Sequence, residues 1–136
     1  MILRDKEDPL DTINVGVVDD SEVVRYMFKV ILKRIPNVNC RLYSSGEELI
    51  ISTEKHDLVF TDYNLDGMNG EEIVKNLMKF SPSTKVCYST SAQLEPEKME
   101  YYNVIGKLGK PMTIEDIFIV LEKFKNNRYA ERPSTT

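Results

Sequence analysis

Short apolar runs rich in β-branched residues alternate along this chain with longer stretches whose apolar residues recur every three or four positions, and that alternation leaves few folds open. The runs predict strands near residues 13–18, 38–43, 57–62, 84–90 and 104–109. After the first run, Val24, Met27, Phe28, Ile31, Leu32 and Ile35 keep a helical spacing, which Pro36 ends. A second helix is expected from 45 or 46 to 53, a third over 70–80 ahead of Pro82, and a fourth over 94–102, where Pro96 suits a first helical turn. A fifth, capped by Thr113, aligns Ile114, Ile117, Phe118, Leu121 and Phe124 on one apolar face. Five strands alternating with five helices imply a parallel sheet covered on both faces, because parallel neighbours need crossovers and the crossovers are helices. The 136 residues make one domain over 13–126, and the polar, aperiodic segments 1–12 and 127–136 read as mobile ends.

Three of the five runs end in charge. Asp19 and Asp20 follow the first, Asp62 the third and Lys110 the fifth. If the runs are neighbouring parallel strands, these side chains converge on one sheet edge. That arrangement suits a divalent metal beside a carboxylate nucleophile, with an ammonium to neutralise a phosphoryl group. Other classes are disfavoured by composition. A net formal charge of -4 and the lack of a dense Lys/Arg block argue against nucleic acid or an anionic membrane as partner. The apolar start at Met1 is too short for a signal-peptide core or a membrane span, so a cytoplasmic location is expected. Cys40 and Cys87 fall inside predicted strands and read as buried free thiols; His56, the single histidine, makes a His-based zinc site or catalytic triad implausible.

The sequence resembles the receiver domain of two-component response regulators over roughly residues 13–126. The resemblance is carried by Val17-Val18-Asp19-Asp20-Ser21 with Arg25 following, by Thr61-Asp62-Tyr63-Asn64-Leu65-Asp66-Gly67-Met68-Asn69-Gly70, by Ser89-Thr90-Ser91 and by Lys110-Pro111. Each piece alone is weak, and in this order and spacing they are specific. The resemblance implies a doubly wound, flavodoxin-like α/β fold with strand order 2-1-3-4-5 and helices on both faces. It implies that Asp62 is the phospho-acceptor, that Asp20 and Asp62 bind a metal directly, and that the backbone carbonyl of Asn64 adds a third contact. Asp19 then acts mainly through metal-bound water, while Lys110 pairs with the phosphoryl group. Crowded carboxylates repel, so a cation keeps them ionised, and an all-oxygen donor set selects a hard ion such as Mg2+. The switch hydroxyl lies among Ser89, Thr90 and Ser91, with spacing from Asp62 favouring Thr90.

The implied partners are a sensor histidine kinase or histidine phosphotransfer protein, and a downstream protein target on the face of the fourth helix, fifth strand and fifth helix. The chain itself is expected to be a monomer or weak homodimer. Several positions depart from the family pattern. Asp66 stands where a proline is common, and the stretch between the switch hydroxyl and Lys110 is about two residues short. Lys107 occupies the place of an aromatic ring that turns inward on phosphorylation, so a receiver-like interaction module with altered switching is the alternative. A flavodoxin-like redox carrier would need a hydroxyl- and glycine-rich loop where Asp19 and Asp20 stand. A haloacid-dehalogenase-like phosphatase would need a second Asp where Asn64 stands. Gly70 reads as structural, starting the third helix where a side chain would crowd the loop. The Lys110-Pro111 peptide is expected to be cis.

Overall fold

The computed structural model describes residues 12–131. The strands are β1 (Ile13–Val18), β2 (Val38–Tyr43), β3 (Leu58–Thr61), β4 (Lys85–Ser89) and β5 (Val104–Leu108). All pair in parallel in the order β2-β1-β3-β4-β5. The helices are α1 (Glu22–Lys33), α2 (Gly46–Ile51), α3 (Gly70–Phe80) and α4 (Ile114–Glu131). In the register, Val18 lies opposite both Tyr43 and Thr61, so the residues that follow β1 and β3 leave the sheet side by side.

Alternate side chains of β1 to β4 feed opposite cores, as the pleat requires. Ile13, Val15, Val17 and Phe60 pack with Phe28 and Leu32 of α1 and Ile117, Leu121 and Phe124 of α4. Val18, Val59, Val86 and Tyr88 pack with Leu49 of α2 and Ile73, Val74 and Leu77 of α3. Each such side chain contributes about 1.5–3 kcal/mol when fully buried. These two layers hold the strand ends in place. The helix starts are fixed locally: Ser21 and Ser45 accept from the amides of Val24 and Glu48, and Asn69 and Glu72 form a reciprocal capping box. Thr113 makes a similar exchange with Asp116.

Four expectations change. The fourth helix is absent as an α-helix, and a single 3-10 turn over Pro96–Met99 replaces it. Only fourteen positions separate Ser89 from Val104, and much of that span carries buried contacts: Leu94, Met99 and Tyr101 pack against the α2–α3 core. The apolar stripe of α4 is Ile117, Val120, Leu121 and Phe124, while Ile114 and Phe118 are exposed. A stripe at i, i+3, i+4 and i+7 is the one a helix can turn toward the sheet. α4 also runs past the expected boundary at 126 to Glu131, with Arg128 bonded to the Thr12 carbonyl at 3.2 Å and the Asp57 carboxylate at 3.0 Å. The expected mobile segment 127–136 is therefore helical over its first five positions. Residues 1–11 and 132–136, the rest of the ends expected to be mobile, lie outside the described residues. α2 ends two positions earlier than expected, at Ile51.

Cys40 lies partly buried in β2 and Cys87 buried in β4, both free thiols. Burial pushes their pKa values up, to about 11 and about 12 respectively. No helix among the described residues is long and apolar enough to cross a membrane.

Candidate functional site

The ends of β1 and β3 bring three carboxylates together. One oxygen from each of Asp19, Asp20 and Asp62 lies within 4.8 Å of the others. Their surroundings differ sharply. Asp19 is 1% exposed and Asp62 9%, whereas Asp20 faces solvent. Asp19 Oδ1 accepts from the Ser21 amide at 2.9 Å, and its main-chain carbonyl accepts from Arg25 Nη1 at 2.8 Å. Asp62 Oδ1 accepts from the Asn64 amide at 3.3 Å, closing a short turn that starts the loop to α3.

Lys110, two residues past the end of β5 and followed by a cis Lys110-Pro111 peptide, bridges the two buried carboxylates. Its Nζ lies 2.7 Å from Asp19 Oδ2 and 3.1 Å from Asp62 Oδ2. Burial acts to lower the lysine pKa, and the bonds to Asp19 and Asp62 together outweigh it, leaving the value above the ordinary one. The cation therefore stays charged where it is placed. Asp20 makes no hydrogen bond among the described residues, so one carboxylate of the three is uncommitted.

This donor set fits a hard divalent ion. It is all oxygen, it carries three negative charges against one lysine, and its open side is the exposed Asp20. The loop carrying Asn64 is anchored to Asp62 through the Asn64 amide, which leaves that residue's carbonyl beside the cluster in sequence.

The hydroxyls at the end of β4 make no hydrogen bond to this network among the described residues. Thr90 is buried, donates its amide to the Leu108 carbonyl at 3.0 Å, and accepts from the Ala92 amide through Oγ1 at 3.1 Å. Ser89 Oγ is buried without a hydrogen-bond partner, and Ser91 is exposed. Lys107 pairs with Tyr88 in the β4–β5 register and its side chain is exposed.

A second polar cluster adjoins the site, and the sequence motifs did not point to it. Glu71, in the first turn of α3, accepts from the Tyr101 hydroxyl, from Lys98 Nζ at 3.0 Å and from the Tyr63 hydroxyl at 3.4 Å. The hydrogen bonds from Tyr101 and then Lys98 hold the Glu71 carboxyl below its usual range. The Tyr63 ring stands edge-on to Tyr88 with centroids 5.5 Å apart, and the Tyr88 hydroxyl donates to the Lys98 carbonyl at 3.3 Å. Burial first, then the neighbouring Tyr63 and Glu71, push the Tyr88 pKa up. The only trace of this cluster in the sequence was the concentration of tyrosines at 63, 88, 101 and 102, which no periodicity places together.

A five-stranded 2-1-3-4-5 sheet whose first and third strands end in a carboxylate cluster under a lysine is the architecture of a receiver. The chain belongs to the response regulator receiver domain family, whose model matches residues 15–122. It is therefore a receiver domain of two-component signal transduction. It is 25% identical to the aerobic respiration control sensor protein ArcB of Escherichia coli (strain K12), across 97% of this chain and 18% of that protein. It is 29% identical to the sensory transduction protein LytT of Bacillus subtilis (strain 168), across 83% of this chain and 48% of that protein. The chain thus spans less than half the length of either curated relative. Among solved structures, the chemotaxis protein CheY4 of Vibrio cholerae superposes with a TM-score of 0.74 at 24% identity, over 83% of this chain and 98% of the other. That likeness bears on the fold alone.

Proposed function

We propose that this receiver accepts a phosphoryl group on Asp62 from a phosphohistidine of a sensor kinase or phosphotransfer protein, in a reaction that requires Mg2+. The observation that carries the reading is the Lys110 bridge: one ammonium held on both Asp19 and Asp62, with the open carboxylate of Asp20 beside them. An Asp62 oxygen attacks phosphorus, the phosphorus–nitrogen bond of the donor breaks, and the departing imidazole keeps the bond's electron pair and takes a proton. An acyl phosphate results. Asp20, Asp62 and the Asn64 carbonyl would hold the ion, with Asp19 acting through its water; when bound, it neutralises charge on the transferred oxygens. Lys110 moves from its carboxylate partner to the phosphoryl oxygens, a short displacement because it already touches Asp62. Thr90 gives up the Ala92 amide to donate to the same group. Water later cleaves the acyl phosphate.

The downstream target is a protein that reads the altered surface around β5 and α4, where Lys107 is exposed as a contact. The 3-10 turn takes the place that the expected fourth helix was to occupy on that face. The test is acetyl phosphate with Mg2+ followed by intact mass. Wild type should gain one phosphoryl group, and Asp62→Asn should gain none while keeping its circular dichroism. Equal labelling of the variant would move the acceptor elsewhere. An unlabelled wild type would favour the interaction-module alternative.

A further inference from the structure

The tyrosines beside Asp62 take no part in the phosphoryl-transfer steps, yet they form one continuous chain of contacts from the acceptor to the segment between β4 and β5. Tyr63 follows Asp62 directly. Its ring rests edge-on against Tyr88, which is fully buried, and its hydroxyl reaches Glu71. Glu71 in turn holds Lys98 and Tyr101, and Tyr88 holds the Lys98 carbonyl. The start of α3 is tight against this chain. A Cβ at Gly70 would stand 2.8 Å from both the Asp62 carbonyl oxygen and Tyr63 Cα, and 3.2 Å from Tyr88 Cε1. The Gly70 amide also donates to the Tyr63 carbonyl at 2.8 Å. With no slack there, a shift of residues 62–63 is passed to Glu71 and Tyr88 rather than absorbed.

We propose that Glu71 is the catch of a latch that ties residues 98–101 to α3, and that modification of Asp62 releases it through Tyr63. This rests on Asp62 being the phosphoryl acceptor. The latch is closed in the unmodified chain, so the state that modification can favour over it is the open one. When Asp62 forms an acyl phosphate, the turn in which its Oδ1 accepts from Asn64 is lost or rearranged, and Lys110 leaves the carboxylate for the phosphoryl group. Tyr63 sits inside that turn. Its hydroxyl shares Glu71 Oε1 with Lys98 Nζ, at 3.4 and 3.0 Å, so a displacement of Tyr63 acts directly on the oxygen that holds Lys98. The segment beyond has little structure of its own to hold it. It is one 3-10 turn, with i to i+3 bonds from Lys98 to Glu95 at 2.9 Å and from Glu100 to Glu97 at 3.3 Å. Release of Glu71 therefore loosens the 98–101 segment, leaving it held by the Tyr88 bond and its core contacts, beside β5, the strand that carries the exposed Lys107, and provides a readout without a ring at that position.

The test follows amide hydrogen exchange of Lys98, Glu100 and Val104 in the full chain, with and without Mg2+ and beryllofluoride as the phosphoryl mimic. In wild type these amides should exchange about tenfold faster once the mimic is bound, as for a local opening. Tyr101→Phe, which removes one oxygen, and Glu71→Gln should both exchange fast in either state, while fluorine NMR still reports bound beryllofluoride. Wild-type protection and response in both variants would overturn the latch. So would a wild-type segment that does not respond although fluoride is bound; that result leaves the acceptor assignment standing. Absence of bound fluoride in wild type would overturn the acceptor assignment and the latch together.

Discussion

Lys110 carries the electrostatics of the unmodified site. Asp19 is almost wholly buried and would be left beside Asp62 without a counter-charge if the ammonium were removed. Lys110→Met should destabilise the fold at neutral pH by about 2–3 kcal/mol, the cost of orphaning a buried, hydrogen-bonded charge. Urea unfolding measures it. The pH dependence has a definite sign. Since the folded pKa of Lys110 is raised, its stabilisation is complete below the unfolded value of about 10.4 and is lost as pH rises through the higher folded value. The wild-type margin over the variant should therefore stay level from neutrality to about pH 10 and shrink above it. A margin that grows above that range would mean the lysine is not held by these carboxylates.

Among the elements, the first turn of α3 is the most constrained. Its capping box fixes where it begins, and Gly70 lets it begin against the backbone of Asp62 and Tyr63. Gly70→Ala places a methyl group 2.8 Å from two backbone atoms that cannot rotate away. The expected cost is about 1–3 kcal/mol, the usual range for overpacking. Phosphorylation by acetyl phosphate should slow as well, because relief of the clash moves Asp62. A variant of wild-type stability and labelling rate would show that the loop yields at no cost. Gly16 is the milder counterpart, since its close neighbour is the His56 ring at 3.0 Å rather than backbone.

For the molecule as a whole, the three carboxylates link folding to cation binding. Mg2+ should raise the melting temperature in a concentration-dependent way, by the equivalent of about 2.7 kcal/mol at a hundredfold excess over Kd. Asp20→Asn should lose most of that response. Without metal it should melt no lower than wild type, because the exposed Asp20 makes no hydrogen bond or ion pair among the described residues and two carboxylates crowd it against a single lysine that they already hold. An apo variant that melts well below wild type would mean that Asp20 contributes a structural bond.

The sequence by itself determined the alternation of strands and helices, the two-sided sheet, and the strand ends that carry Asp19, Asp20, Asp62 and Lys110. Period and position of charge are local properties, and a side chain that follows a strand leaves the sheet at a predictable edge. Thr113 was equally legible as a cap, since capping acts over three or four residues. What only the tertiary structure decided depends on contacts between distant residues. The segment at 94–102 has helical spacing, but tethers to Tyr88, Glu71 and the α2–α3 core hold it as a single 3-10 turn. The buried stripe of α4 rotated to Val120 and away from Phe118 because the sheet, not the helix, selects which face is covered. Its last turns docked through Arg128 onto Thr12 and Asp57, residues more than 70 positions away. The meeting of Tyr63, Glu71, Tyr88 and Tyr101 arises in the same way. Four residues on a loop, a helix, a strand and a connecting segment share no period, and only the packing of α3 against β4 brings them together.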